Sequence, residues 1–185
     1  MLYDADTISK FADCGISILD SPTDVIPQAL VYLGYDDSSK DPDELQEAED
    51  LLHEARPYIK KFTSSTLLND LANGDVCIAM SWAGDYATAS ARASEAGKDI
   101  DLRYFVPEEG GLLWVDIIVI PKDAKNLENA YLLLDYLLRP EVSADFVNLT
   151  HYASPVPDAK PFIKEEVLND TAVYPTPEIM DRLFF

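Results

Sequence analysis

The hydrophobic pattern of this chain alternates between short unbroken apolar runs and longer stretches of helical period. "ISIL" at 16–19, the apolar run Val76–Met80 and "LRYFVP" at 102–107 read as strands, and "IKKFTSS" as a shorter one. "GLLWVDIIVIP" is apolar but for one Asp, and its length and Val/Ile content predict a strand buried on both faces. Between these runs the period changes. "DADTISKFAD" reads as a short helix, and "SPTDVIPQALVYLGY" as a longer one with Val25, Leu30 and Leu33 inward and Gly34 as its stop. From about Asp43 to Ala55, the residues Leu45, Ala48, Leu51, Leu52 and Ala55 make a continuous 3.6-period face. "STLLNDLANG" predicts a helix closed by Gly74, and another runs from about Tyr86 to Ala96. "NLENAYLLLDYLLRP" and "EVSADFVNLT" are amphipathic, and the proline-rich tail leaves room for short helices at "PFIKEEVLN" and "PEIMDRLFF".

Helices alternating with apolar strands indicate an α/β sheet. No internal repeat or low-complexity tract stands out, and no linker announces a domain boundary.

Composition narrows the function classes. The chain has 185 residues, 48% hydrophobic and 26% charged, with a formal net charge of −20. A nucleic-acid partner needs a clustered basic surface, so the charge argues against one and permits long-range attraction of cations. No apolar stretch approaches the roughly 18 residues of a spanning helix. "MLYDADTISKF" lacks the basic and apolar regions of a signal peptide, so on its own the sequence reads as cytoplasmic or as lacking its natural beginning. Cys14 and Cys77 lack metal-site spacing, and each flanks an apolar run, so a disulfide and two buried thiols stand as equal alternatives.

Catalytic signatures are missing: no G-x-S-x-G elbow, no phosphate-cradling loop and no dinucleotide fingerprint. His53 lies on the polar side of an acidic helix and His151 follows a helix end, neither beside a triad or metal partner. An enzyme is therefore not expected, and neither a cofactor nor a metal is called for. Two features rise above this background. Trp82 and Asp85 close the Val76–Met80 strand, and Trp114 and Asp116 interrupt the apolar run; these are the only two tryptophans. A carboxylate in such a run requires a cation, hydrogen-bond donors or a solvated cleft. An indole face attracts a cation by roughly 0.5–2 kcal/mol, and a carboxylate adds a charge-assisted bond of about 1.5–3 kcal/mol. Together they suit an organic ammonium. Core packing for the tryptophans and helix capping for Asp85 are the competing structural roles.

"NDLANGDVCIAMSWAGDYATASARASEAG" and "VPEEGGLLWVDIIVIPKDAKNLENAYLLLDYLLRPEVSADF" resemble the periplasmic polyamine-binding proteins of ABC importers, most nearly the putrescine-binding branch and next the spermidine-binding one. The likeness extends over nearly the whole chain, and its W-A-G-D and W-x-D motifs are specific. It implies an α/β, periplasmic-binding-protein type II fold, incomplete: one lobe plus the return segment of the other. Residues 1–112 would open the second lobe, 113–152 would be the hinge strand and return into the first lobe, and 153–185 would complete the second lobe. The resemblance implies that Trp82, Asp85, Trp114 and Asp116 contact the polyamine (putrescine or spermidine), with Tyr152 as a cleft tyrosine. Asp24 stands where the family has Glu, a shorter and more retracted carboxylate. The same resemblance favours bridging Cys14 to Cys77. It further implies a periplasmic location, an ABC permease in the inner membrane as partner, and weak ligand binding or none by a chain that lacks most of the first lobe. A receptor of the same fold for another cationic solute or amino acid is the alternative.

Overall fold

The computed structural model describes residues 2–185, which cluster into two compact units. One holds the chain up to Leu113 together with Pro177–Phe185; the other is Trp114–Thr176.

The first unit begins with helix α1 (Ala5–Ile8), capped by the Asp4 side chain, which accepts from the Asp6 N–H. Strand β1 (Ile16–Ile18) follows, buried at every position. Helix α2 (Pro22–Leu33) starts with Pro22 in its first turn, where a missing N–H costs nothing, and stops at Gly34 in the left-handed conformation (φ 89°). Helix α3 (Pro42–Ala55) leads to β2 (Lys61–Phe62), α4 (Leu67–Asn73), β3 (Ile78–Ala79) and α5 (Ala83–Glu95). β1 is the central strand of a parallel three-stranded sheet, β2-β1-β3, in which Ile18 pairs with Phe62 and Ser17 with both Lys61 and Ala79. Ile8, Ile16, Ile18, Leu30 and Leu67 are almost fully buried around this sheet.

Cys14 and Cys77 form a disulfide (Cα–Cα 5.6 Å) between the residues entering β1 and β3. Gly15 beside it is at φ +91°, and a Cβ there would lie 2.9 Å from the Asp75 carbonyl oxygen, so only glycine lets the two chains approach so closely.

A second, two-stranded sheet pairs β4 (Gly111–Leu112) with β5 (Leu183–Phe184) in parallel. The expected terminal helix at "PEIMDRLFF" is thus half right. It is α9 (Pro177–Met180) followed by a strand, because a hydrogen-bonding edge at Gly111–Leu113 is available to Leu183–Phe184.

The second unit contains α6 (Leu127–Leu137), α7 (Pro140–Thr150), a 3-10 turn at Pro157–Phe162 and α8 (Glu165–Leu168). Its core is small: Ala144, Val147, Ala159, Ile163, Val167 and Val173. The expected doubly buried strand at "GLLWVDIIVIP" is not observed. Beyond β4 the run is non-regular, and Val115, Ile117, Ile118 and Val119 are 65–76% exposed. A strand buried on both faces needs a ladder on each edge and a layer on each side, and the described residues build neither around 115–119. Nor does the expected strand at 102–107 join a ladder, although Leu102, Tyr104 and Val106 are partly buried while Arg103 and Phe105 are exposed. Residues 153–176 cluster with 114–152, whereas the lobe boundaries expected from the resemblance divide them at 152.

Candidate functional site

The parallel sheet sets the stage. β1 ends at Ile18 and α2 begins at Pro22; β3 ends at Ala79 and α5 begins at Ala83. Because β1 and β3 are parallel neighbours, both helices start beyond the carboxyl edge of the sheet, where open α/β sheets take their ligands. The disulfide staples the opposite ends of the same two strands.

Trp82 is the N-cap of α5, in extended conformation (φ −81°, ψ 156°). An indole offers no acceptor to the helix's first N–H groups, so the cap is assembled otherwise. The Trp82 N–H donates to Asp85 Oδ2 at 3.2 Å, and the Asp85 N–H donates to the Trp82 carbonyl at 3.1 Å. The helix therefore begins three residues earlier than the periodicity predicts, and Asp85 lies inside its first turn rather than ahead of it. Trp82 is partly buried and packs against the core around β1. Burial pushes the Asp85 carboxyl above its ordinary range, against the opposing pull of the Trp82 N–H. Its bond to that N–H is its one described polar contact, and no Lys or Arg pairs with it among the described residues.

Asp24 lies in the first turn of α2, 4% exposed, with its N–H on the Ser21 carbonyl at 3.0 Å. The helix N-terminus favours a negative charge there. Its backbone carbonyl accepts from Gln28 Nε2 at 3.2 Å. Such burial makes Asp24 a packed component of the fold before it is a contact surface.

Two aromatic residues that the motifs did not single out stand beside Asp85. Tyr86, the next residue on α5, stacks on Tyr104 with ring centroids 5.9 Å apart and planes at 26°. Burial, and then the Asp85 charge, push the Tyr104 phenol upward. The signal for Tyr104 was the alternation Leu102, Tyr104, Val106, which marks an inward-facing side even without a sheet.

In the second unit, Trp114 is 53% exposed, and Asp116 is exposed, the solvated outcome among those open to a carboxylate in an apolar run. Tyr152 is 39% exposed and follows His151, whose left-handed backbone (φ 56°) ends α7 and turns the chain out of the helix axis. The predicted residues thus divide into Trp82, Asp85 and Asp24 in one unit, and Trp114, Asp116 and Tyr152 in the other. His53 is exposed on α3, 3.5 Å from Glu49.

A family profile of bacterial extracellular solute-binding proteins matches residues 4–175. The chain belongs to that family. Among curated members, the putrescine-binding periplasmic protein PotF of Escherichia coli is 40% identical over 185 residues, covering 100% of this chain and 50% of the relative. The putrescine-binding periplasmic protein SpuD of Pseudomonas aeruginosa is 38% identical over 184 residues, with the same shares covered. The crystal structure of a spermidine/putrescine ABC transporter substrate-binding protein from Streptococcus pneumoniae superposes with a TM-score of 0.79 at 31% identity, over 98% of this chain and 55% of that one. The chain spans about half the length of the curated relatives it matches. This solute-binding protein is accordingly of mixed α/β, periplasmic-binding-protein fold and represents part of it.

Proposed function

We propose that this solute-binding protein takes a polyamine, putrescine foremost, and delivers it in the periplasm to the membrane permease of an ABC importer. The supporting observation is Asp85: a half-buried carboxylate beyond the carboxyl end of β3, bonded to one backbone N–H and flanked in sequence by Trp82 and Tyr86. Such a group gains most from a partner that brings both charge and hydrogen-bond donors into a dehydrated site, and a primary ammonium does both. The names of the relatives point the same way. In this reading Trp82, Trp114, Asp116 and Tyr152 are further ligand-contacting residues, and Asp24 is a buried support within its own unit. Residues 1–112 and 153–185 would form the second lobe, and 113–152 the return into the first. The protein binds its ligand and releases it unchanged, without enzymatic chemistry.

Isothermal titration calorimetry on the full-length polypeptide containing these residues tests this, using putrescine, spermidine and leucine. Heat from either polyamine, and none from leucine, is expected. No heat from any polyamine would end the proposal, and heat from leucine alone would favour an amino-acid receptor of the same fold.

A further inference from the structure

The segment 101–106 belongs to no helix or strand, yet its side chains are sorted. Arg103 faces outward, where its guanidinium pairs with Asp101 at 2.9 Å, both more than 70% exposed. The cation closest to Tyr104 in sequence is thereby tied to a carboxylate other than Asp85. Leu102 packs on the core cluster that Trp82 also packs against, which anchors the segment beside the start of α5. Two residues on, and on the same side, Tyr104 stacks on Tyr86, the residue next to Asp85. A stack that ties an irregular segment to a helix contributes about 0.5–1.5 kcal/mol beyond area burial, and it fixes one ring where a loop would otherwise admit water.

We propose that Tyr104 is a positioning residue of the Asp85 site, the wall that keeps water from the carboxylate and so selects an alkylammonium ion over a hydrated metal ion. This rests on the reading of Asp85 as the ammonium seat. A divalent cation asks for six or more oxygen ligands or keeps its waters, and no group of three or more carboxylate, His or Cys side chains placed to hold a metal occurs among the described residues. An alkylammonium is satisfied by a few acceptors and lays its methylenes on the rings. The upward push that burial exerts on Asp85, and that burial and the Asp85 charge exert on Tyr104, are what such a shared dry niche produces.

The test is carbon-13 NMR titration of the Asp85 carboxyl in the folded chain, compared between wild type, Tyr104→Phe and Tyr104→Ala. The Phe variant should keep the raised titration, and the Ala variant should move it down toward the ordinary carboxylate range. An unmoved Asp85 in a folded Tyr104→Ala protein overturns the proposal. Should circular dichroism show the Ala variant unfolded, Asp85→Asn replaces it: the Tyr104 phenol should then titrate lower than in wild type, and an unchanged phenol overturns the proposal. Magnesium chloride at millimolar concentration should leave the Asp85 carboxyl signal in place, and a saturable shift would overturn the selectivity. None of these measurements uses a polyamine, so the failure of the polyamine reading is registered separately by calorimetry.

Discussion

The Trp82 N–H and the Asp85 carboxylate are joined at 3.2 Å, and the Asp85 N–H returns a bond to the Trp82 carbonyl at 3.1 Å. One partly buried carboxylate thus closes the first turn of α5 beyond the carboxyl end of β3. The capping role expected of Asp85 is observed, and the ligand-facing role proposed above would fall to the same carboxylate.

The burial of this carboxylate has a pH signature. The native Asp85 binds its proton at higher pH than an unfolded Asp, because burial disfavours the charge. The native state therefore holds more protons across that interval, and stability falls as pH rises from the ordinary carboxylate value through the raised native one. Asp85→Asn retains an oxygen for the Trp82 N–H and carries no charge. Its urea midpoint should exceed that of wild type at pH 7, and the gap should close in acid, where both side chains are neutral. Equal midpoints at both pH values would refute the assignment.

Asp70 shows the opposite sign. Burial pushes its carboxyl up, but hydrogen bonds from Lys61 and Thr66 outweigh this and hold it below the ordinary range. Thr66 Oγ1 donates to it at 2.8 Å, Lys61 forms an ion pair with it, and the Asp70 side chain is 12% exposed. This stability is present above the unfolded carboxylate value and lost as pH falls through the depressed native one. Asp70→Ala should cost about 1.5–3 kcal/mol at pH 7, the range for hydrogen bonds to charged groups. Denaturant titration at pH 7 and in strong acid checks both the size and its disappearance.

The Cys14–Cys77 bond closes a loop spanning a sequence separation of 63 residues. Chain-entropy reasoning gives about 4 kcal/mol for such a loop, with relaxation in the unfolded chain lowering the measured value. Reduction, or the double change Cys14→Ser and Cys77→Ser, should lower the guanidinium midpoint accordingly. Because the bridge sits at the amino ends of β1 and β3, it should leave the Asp85 carboxyl titration unmoved.

Much of the first unit was legible in the chain. The apolar face of α3 was read correctly as far as Ala48 and Ala55, now 1% and 0% exposed, while Leu45 was left at 37%. A helix and its inward stripe are written in neighbouring residues, so three-to-four spacing suffices to read them. What escaped was set by distant partners. β5 forms because Leu183 meets Gly111, a pairing that no local window contains. The run 114–120 has the composition of a doubly buried strand but lacks neighbours in the described fold. The Trp82–Asp85 cap lies within one short motif and was legible there, whereas the Tyr104–Tyr86 stack joins two segments and was not.

The second unit predicts its own behaviour. Leu132, Leu133 and Tyr136 on α6 are 49–66% exposed, and Phe146 and Leu149 on α7 are 60% and 81% exposed. A helix apolar on most sides normally lies buried, and large exposed apolar patches mark interaction surfaces. The 185-residue chain should bind a hydrophobic dye and self-associate in light scattering. Ile117→Lys combined with Leu133→Lys should reduce both, while shifting stability by no more than about 0.5 kcal/mol per site, as for other surface changes. A monomer that ignores the dye would contradict the exposed surface.

Asp116 separates binding from folding. It is exposed, so Asp116→Ala removes no buried partner and should leave the melting temperature of the full-length polypeptide unchanged. If the carboxylate contacts an ammonium of a polyamine, its loss should weaken putrescine binding at least ten-fold, about 1.4 kcal/mol. A hydrogen bond to a charged group contributes about 1.5–3 kcal/mol once the ligand excludes water from it. Calorimetry on the variant reads the affinity and calorimetric melting reads the fold. Unchanged affinity in a normally melting protein would remove Asp116 from the site and leave Asp85 to hold the cation without it.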